Sequence, residues 1–212
     1  MAPYTRHMSA PTSDEDPSPP QPLPQRKHLR RRETGFNCRL LTFSCYHQFQ
    51  LFGKPAIRDV FMHALARARD KHGFELFAWV DMPEHVHLLV RPQPDQLWHP
   101  IAAALKTSVA RTVVHRWRTL RAPILPRMTD MHGKPRFWQR GGGFDRNVRS
   151  MAEFTREVRY IHRNPVAAEL VARPEEWPHS SVHWWMGRRD GPLPCDPPPD
   201  PTYAWHLWQG YV

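Results

Sequence analysis

The apolar positions of this chain fall into blocks whose period changes along its length. Cys38–Tyr46 is β-rich and predicts a first strand. Ile57–His72 sets Val60, Phe61, Ala64, Leu65 and Ala68 at helical spacing and ends at Gly73. Phe74–Val80 and His85–Arg91 predict a hairpin-like pair of strands across Asp81-Met82-Pro83-Glu84. A second helix covers about Ile101–Arg118, where Ile101, Leu105, Val109, Val113 and Trp117 recur every four residues. Phe137–Arg140 predicts a short final strand. Val148, Met151, Phe154, Thr155, Val158 and Ile161 then form the stripe of a third helix over Asn147–Arg163. Asn147 is its expected N-cap and Pro165 its expected stop, because the residue before proline is pushed out of the α region. The order β-α-β-β-α-β-α predicts an α+β fold, a split β-α-β sandwich with one added helix.

Two pairs of residues in these elements carry chemistry. His85 and His87 flank Val86 on a predicted strand, so both imidazoles face one way, about 7 Å apart along the backbone. That is a two-pronged metal clamp, although an isolated pair of this kind also describes two satisfied histidines on a half-polar strand. Tyr160 and Asn164 lie four apart on the third helix and share a face. A phenol and a carboxamide stacked this way can serve as nucleophile and third metal ligand; equally, they can be a core-edge residue and a helix stop. Glu84 precedes the clamp and on a regular strand points to the opposite face, so it is not expected to be a ligand.

Composition adds a partner. Thirty Lys and Arg stand against 20 Asp and Glu, a net charge of +10, and a positive field of this kind draws phosphates in. Residues 1–35 hold six of the basic and four of the acidic residues, which leaves about +8 for the remainder. Much of the surplus is arginine, including Arg111, Arg116, Arg118, Arg121, Arg127, Arg136, Arg140, Arg146 and Arg149. Guanidinium groups fork onto phosphates and stack on bases. Phe137, Trp138 and Gln139 are candidates to stack on or read an unpaired base, with core packing the competing role for the two aromatics. Gly141-Gly142-Gly143 is a flexible loop without the Gly-Lys-Ser/Thr of a phosphate loop.

The Pro-rich polar stretch from Pro11 to Pro24 and the run Arg30-Arg31-Arg32 make residues 1–35 an expected disordered arm. Gly191–Pro201 is a second Pro-rich break, followed by Tyr203, Trp205, Trp208 and Tyr211. The expected division is thus an arm (1–35), a domain (36–187) and a tail (188–212). Cys38, Cys45 and Cys195 form no Cys-x-x-Cys pair, which fits a reducing cytoplasm. The sequence has no apolar run of about 20 residues and no signal peptide, so a cytoplasmic protein with no membrane partner is expected.

Taken together and in order, these motifs resemble a known family. His85-Val86-His87 after Met82-Pro83-Glu84, Phe137-Trp138-Gln139-Arg140, the run from Tyr160 through Asn164-Pro165 to Val171, and Arg173–Ser181 look like the REP-associated tyrosine transposases. Those are relatives of the single-strand HUH transposases of small insertion sequences, and the resemblance spans residues 37–185. It implies a ferredoxin-like sandwich whose central antiparallel sheet carries the His pair. It implies His85, His87 and Asn164 as ligands of Mg²⁺ or Mn²⁺, and Tyr160 as the nucleophile on a DNA phosphodiester.

The implied substrate is single-stranded DNA folded into palindromic hairpins, cut and rejoined through a 5′-phosphotyrosine by a monomer or a homodimer. Arg136, Arg140, Arg146 and Arg149 are the expected DNA contacts. Two alternatives are a hairpin-binding protein with little turnover and a metal-dependent nuclease using water. The sequence departs from the family pattern at Gly141–Asp145 and at Glu169, where a glycine is common.

Overall fold

A computed structural model describes residues 36–141 and 143–200. The expected arm of residues 1–35 and the aromatics Tyr203 to Tyr211 lie outside the described residues. Four strands, β1 (Cys38–Ser44), β2 (Glu75–Asp81), β3 (His85–Arg91) and β4 (Phe144–Val148), form one antiparallel sheet in the order β2-β3-β1-β4. With helices α1 (Pro55–His72) and α2 (Trp98–Thr119) in the crossovers, this is the expected split β-α-β arrangement.

Strand alternation explains why both faces are covered. Leu41 and Phe43 of β1, and Val86, Leu88 and Val90 of β3, point to one face and bury themselves against α1 and α2. Leu40 and Leu89 point to the other, where Phe154, Val158 and Ile161 of α3 (Met151–Ala167) close a second core with Trp185 of the short α4 (Val182–Trp185). The His85/His87 face is therefore the α3 face. Pro55 opens α1 at a position where its missing N–H costs nothing, and Gly73, at φ 65°, ends it.

The final strand is not Phe137–Arg140. That segment makes a single bridge, Trp138 to Cys45, while Phe137 and Trp138 sink into the α1/α2 core beside Phe52. Trp138 Nε1 donates to the Lys106 carbonyl at 2.9 Å. The true fourth strand pairs Phe144 with Thr42 and Val148 with Cys38. Its three central residues are polar and it sits at the sheet edge, so hydrophobic alternation does not reveal it.

Asn147 consequently lies inside β4 opposite Arg39 and does not cap α3. Ser150 does, accepting from the Glu153 N–H at 3.2 Å, while the Glu153 carboxylate reaches back to the Arg149 N–H at 2.9 Å.

Helix α3 also passes its expected stop. A proline in the last turn removes one donor, toward Ile161, and buried Pro165 is kept there by packing. The end comes at Glu169, whose N–H meets the Val166 carbonyl at 3.0 Å while the Leu170 N–H meets that of Pro165 at 2.9 Å. This is a Schellman closure with Glu169 at φ 57°, the position where glycine is usual. Strand β1 stops at Ser44 because Tyr46–Gln48 coils into a 3-10 turn with His47 at φ 49°.

The outer edge of β2 is covered. Residues 179–181 run beside it, with the Asp81 N–H donating to the His179 carbonyl and the Ser181 N–H to that of Trp79, each at 2.9 Å. Leu193 and Cys195 join the α1/α2 core. All three cysteines are buried and unpaired. Among the described residues no helix is long and apolar enough to cross a membrane.

A candidate metal and nucleophile site

The shared face predicted from alternation is realised at the start of β3. His85 and His87 project from one face, and their Nε2 atoms converge to 3.0 Å. Each ring is held from behind. The Glu84 carboxylate sits 2.7 Å from His85 Nδ1, and Thr42 Oγ1 on the neighbouring strand lies 2.8 Å from His87 Nδ1. A carboxylate accepts, so Nδ1–H of His85 donates to it and Nε2 keeps its lone pair. In the tautomer whose Nδ1–H donates to Thr42, His87 likewise presents a bare Nε2. With both Nδ1 atoms engaged at the back, both Nε2 atoms are presented forward.

Burial keeps His87 ready as a neutral donor. Its pKa is pushed down to about 3, first by desolvation, then by the neighbouring His85, and is partly restored by a hydrogen bond with the Asn164 side chain. Asn164 thereby reaches the pair from α3. Tyr160, one helical turn earlier, sets its ring 5.2 Å from that of His87, edge to face. It stays 47% exposed beside the pair. Helix α3 brings both residues to the clamp because its other stripe, Phe154, Val158 and Ile161, is buried against the sheet.

The donor set suits a hard or borderline divalent ion. Two nitrogens bound at about 2.1 Å and about a right angle apart stand about 3.0 Å from each other, the separation of the two Nε2 atoms. Among the described residues no group of three or more His, Cys, Asp or Glu side chains could hold a metal. Asn164 is the carboxamide that α3 brings to the pair, and two imidazoles with one amide oxygen would leave positions for phosphate oxygens and water, as Mg²⁺ and Mn²⁺ prefer.

The four expected DNA-contact arginines divide. Arg140 and Arg149 are exposed and make no ion pair with another described residue. Arg136 is bound to Asp130 at 2.7 Å. Arg146 is drawn onto the buried carboxylate of Glu157 on α3, which Arg156 also meets at 3.1 Å. The last two therefore have structural duties as well as positive charge. Lys106 lies over the rings of Phe43 and Trp138.

Sequence reasoning missed two residues of the site. On a regular strand Glu84 faces away from the pair, but β3 begins only at His85, and the turn before it swings the carboxylate onto His85 Nδ1. Thr42 carries no motif; only the pairing of β1 with β3, Thr42 opposite His87, reveals it.

The family model for IS200-like transposases matches residues 36–164. A REP-associated tyrosine transposase of Escherichia coli K12 is 27% identical over 140 residues, 63% of this chain and 68% of that protein. A solved structure of a REP-associated tyrosine transposase bound to a REP hairpin superimposes with a TM-score of 0.59 at 23% identity. It covers 82% of this chain and 92% of that one, and it shares the fold. This chain belongs to the IS200-like transposase family.

Proposed function

We propose that the protein cleaves and rejoins single-stranded DNA at palindromic hairpins through a tyrosine–DNA linkage. The observation that carries this reading is the meeting of two converging Nε2 atoms with an exposed phenol, its ring 5.2 Å from that of His87. The hairpin as substrate draws support from the structural relative, which is described bound to one.

In the reaction, the Tyr160 oxygen attacks a backbone phosphorus. A tyrosine O–P bond forms, the bond to the 3′-oxygen breaks, and the departing strand leaves as a 3′-hydroxyl, with the phenolic proton passing to the leaving oxygen or to water. A second 3′-hydroxyl attacks the phosphotyrosine and reverses the exchange, so one diester bond is kept throughout and no nucleotide cofactor is consumed. His85, His87 and Asn164 would hold a divalent ion, Mg²⁺ or Mn²⁺, and that ion supplies Lewis-acid stabilisation of charge on the phosphoryl oxygens. Glu84 and Thr42 fix the two rings. Arg140 and Arg149 offer phosphate contacts from the exposed surface.

The test is incubation with labelled single-stranded hairpin DNA, taken from repeats flanking the gene, and Mn²⁺ or Mg²⁺ on a denaturing gel. A metal-dependent covalent protein–DNA band that Tyr160→Phe loses, with hairpin binding kept, is the expected result. Cleavage that survives Tyr160→Phe refutes the nucleophile. Cleavage without an adduct indicates a water-using nuclease, and tight binding with neither indicates a hairpin-binding protein.

A further inference from the structure

We propose that Phe144 is the stacking platform for an unpaired base of the DNA strand beside the scissile phosphate. This rests on the transesterase reading above and adds a contact to it. The starting observation is a row of residues that crosses the sheet. Val80 pairs with His87, His87 with Thr42, and Thr42 with Phe144. Residues directly opposite one another in antiparallel strands share a face, so Phe144 lies on the same face as the clamp. Two strand spacings of about 4.8 Å put its backbone about 10 Å from that of His87, within reach of a base on a nucleotide next to the one being cut.

Phe144 is exposed where other phenylalanines are not. Among the described residues the exposed large aromatics are Phe144, at 53%, and Tyr160, at 47%. Phe144 thus shares the sheet face on which α3 sets the Tyr160 ring beside His87. Helix α3 lies chiefly over β2 and β3, which leaves this end of β4 uncovered.

The surroundings suit a nucleic-acid strand better than an apolar partner. The rest of β4 is polar apart from Val148. Arg146, on the same face two residues on, keeps about a third of its side chain exposed beside its Glu157 partner, and Arg140 and Arg149 are exposed before and after the strand.

The backbone reinforces the placement. Gly141, at φ 98°, has no atom within 4 Å of where a Cβ would stand, so main chain is open to a phosphate there. Gly143, at φ 74°, is packed so closely on Thr42 that an added Cβ would lie 2.2 Å from the Thr42 carbonyl oxygen. Phe144 is thus fixed directly against the residue that holds His87. A base stacked on its ring would set the register of the strand, and hence which phosphate meets Tyr160.

The experiment uses the full chain in the Tyr160→Phe background, to keep the strand intact, with hairpins carrying 2-aminopurine at each position flanking the cleavage site. At one position the bound probe is expected to be quenched. Phe144→Ala restores its fluorescence and weakens binding about 5- to 150-fold, the fold-change that corresponds to ~1–3 kcal/mol per stacked base. Phe144→Trp keeps both signals, and Phe144→Leu behaves like the alanine variant.

The salt dependence of binding stays unchanged in Phe144→Ala, because stacking releases no counterion, whereas Arg149→Ala lowers its slope by about 0.7. Unchanged quenching and affinity in Phe144→Ala overturn the proposal, as does full function in Phe144→Leu. Absence of a covalent adduct with the native tyrosine counts against the transesterase reading. An unquenched probe beside an intact adduct counts against Phe144 alone.

Discussion

Thr42 offers the most direct way to ask whether the imidazole pair works as a metal site. Thr42→Val keeps the shape and the β-branch that suit strand β1 and removes the oxygen 2.8 Å from His87 Nδ1. His87 is 4% exposed, so its Nδ1–H then loses a partner that water cannot easily replace. An unsatisfied buried donor costs about 1–3 kcal/mol, which for a domain of this size lowers Tm by roughly 2–10 °C.

The larger effect falls on ligand geometry. Freed at the back, the ring can turn or switch its proton to Nε2, and loss of such an outer partner weakens metal binding by roughly 10- to 100-fold. Mn²⁺ binding followed by electron paramagnetic resonance reads the affinity, and calorimetry on the chelated protein reads the stability. Wild-type Mn²⁺ affinity together with an unchanged Tm in Thr42→Val would refute the claim that the threonine orients His87.

Three other outcomes follow from the packing. Gly143→Ala places a methyl group against the Thr42 carbonyl at positive φ and should destabilise the fold by about 2 kcal/mol or more, read as a shifted urea midpoint. Glu169→Gly relieves a left-handed residue at the end of α3 and should raise stability by about 0.5–1 kcal/mol, with adduct formation unchanged. Stability should fall with acid. His87 and His162 are held near pKa 3 by burial against an ordinary value of 6.5, so between those limits the unfolded chain binds protons that the folded chain refuses. Each site contributes stability fully present above pH 6.5 and loses roughly 2 kcal/mol of it by pH 5. Unfolding in chelator at pH 7.5 and 5, with a flat result, refutes this.

What the sequence disclosed, and what it hid, follow from where information is local. The stripe Ile101–Trp117 and the run into β3 announce their elements because burial imposes a period on them. The clamp was legible because two histidines two apart on a strand must share a face. Strand β4 was not legible, since an edge strand with a polar centre leaves no period, and the aromatic bulk of Phe137 and Trp138 imitated one nearby. Ser150 stood in plain view as a cap, with Glu153 three residues on, but the misplaced strand drew the helix start to Asn147. Thr42 was hidden for a deeper reason: its role exists only through pairing with a strand 45 residues away, and no pattern within β1 encodes a partner. Proline misled at residue 165, because a rule about isolated chains yields to a buried last turn.

The imidazole pair and the proposed nucleophile come from opposite parts of the chain. Thr42, Glu84, His85 and His87 are complete by residue 87, while Tyr160 follows 73 residues later. On the proposed chemistry, a ribosome therefore delivers the paired imidazoles and their two supports first, and Tyr160 and Asn164 only with α3. On the proposed chemistry, a nascent or prematurely ended chain is harmless to the chromosome by construction. On that reading, cutting ability arrives last, with the helix that covers the histidine-bearing face of the sheet.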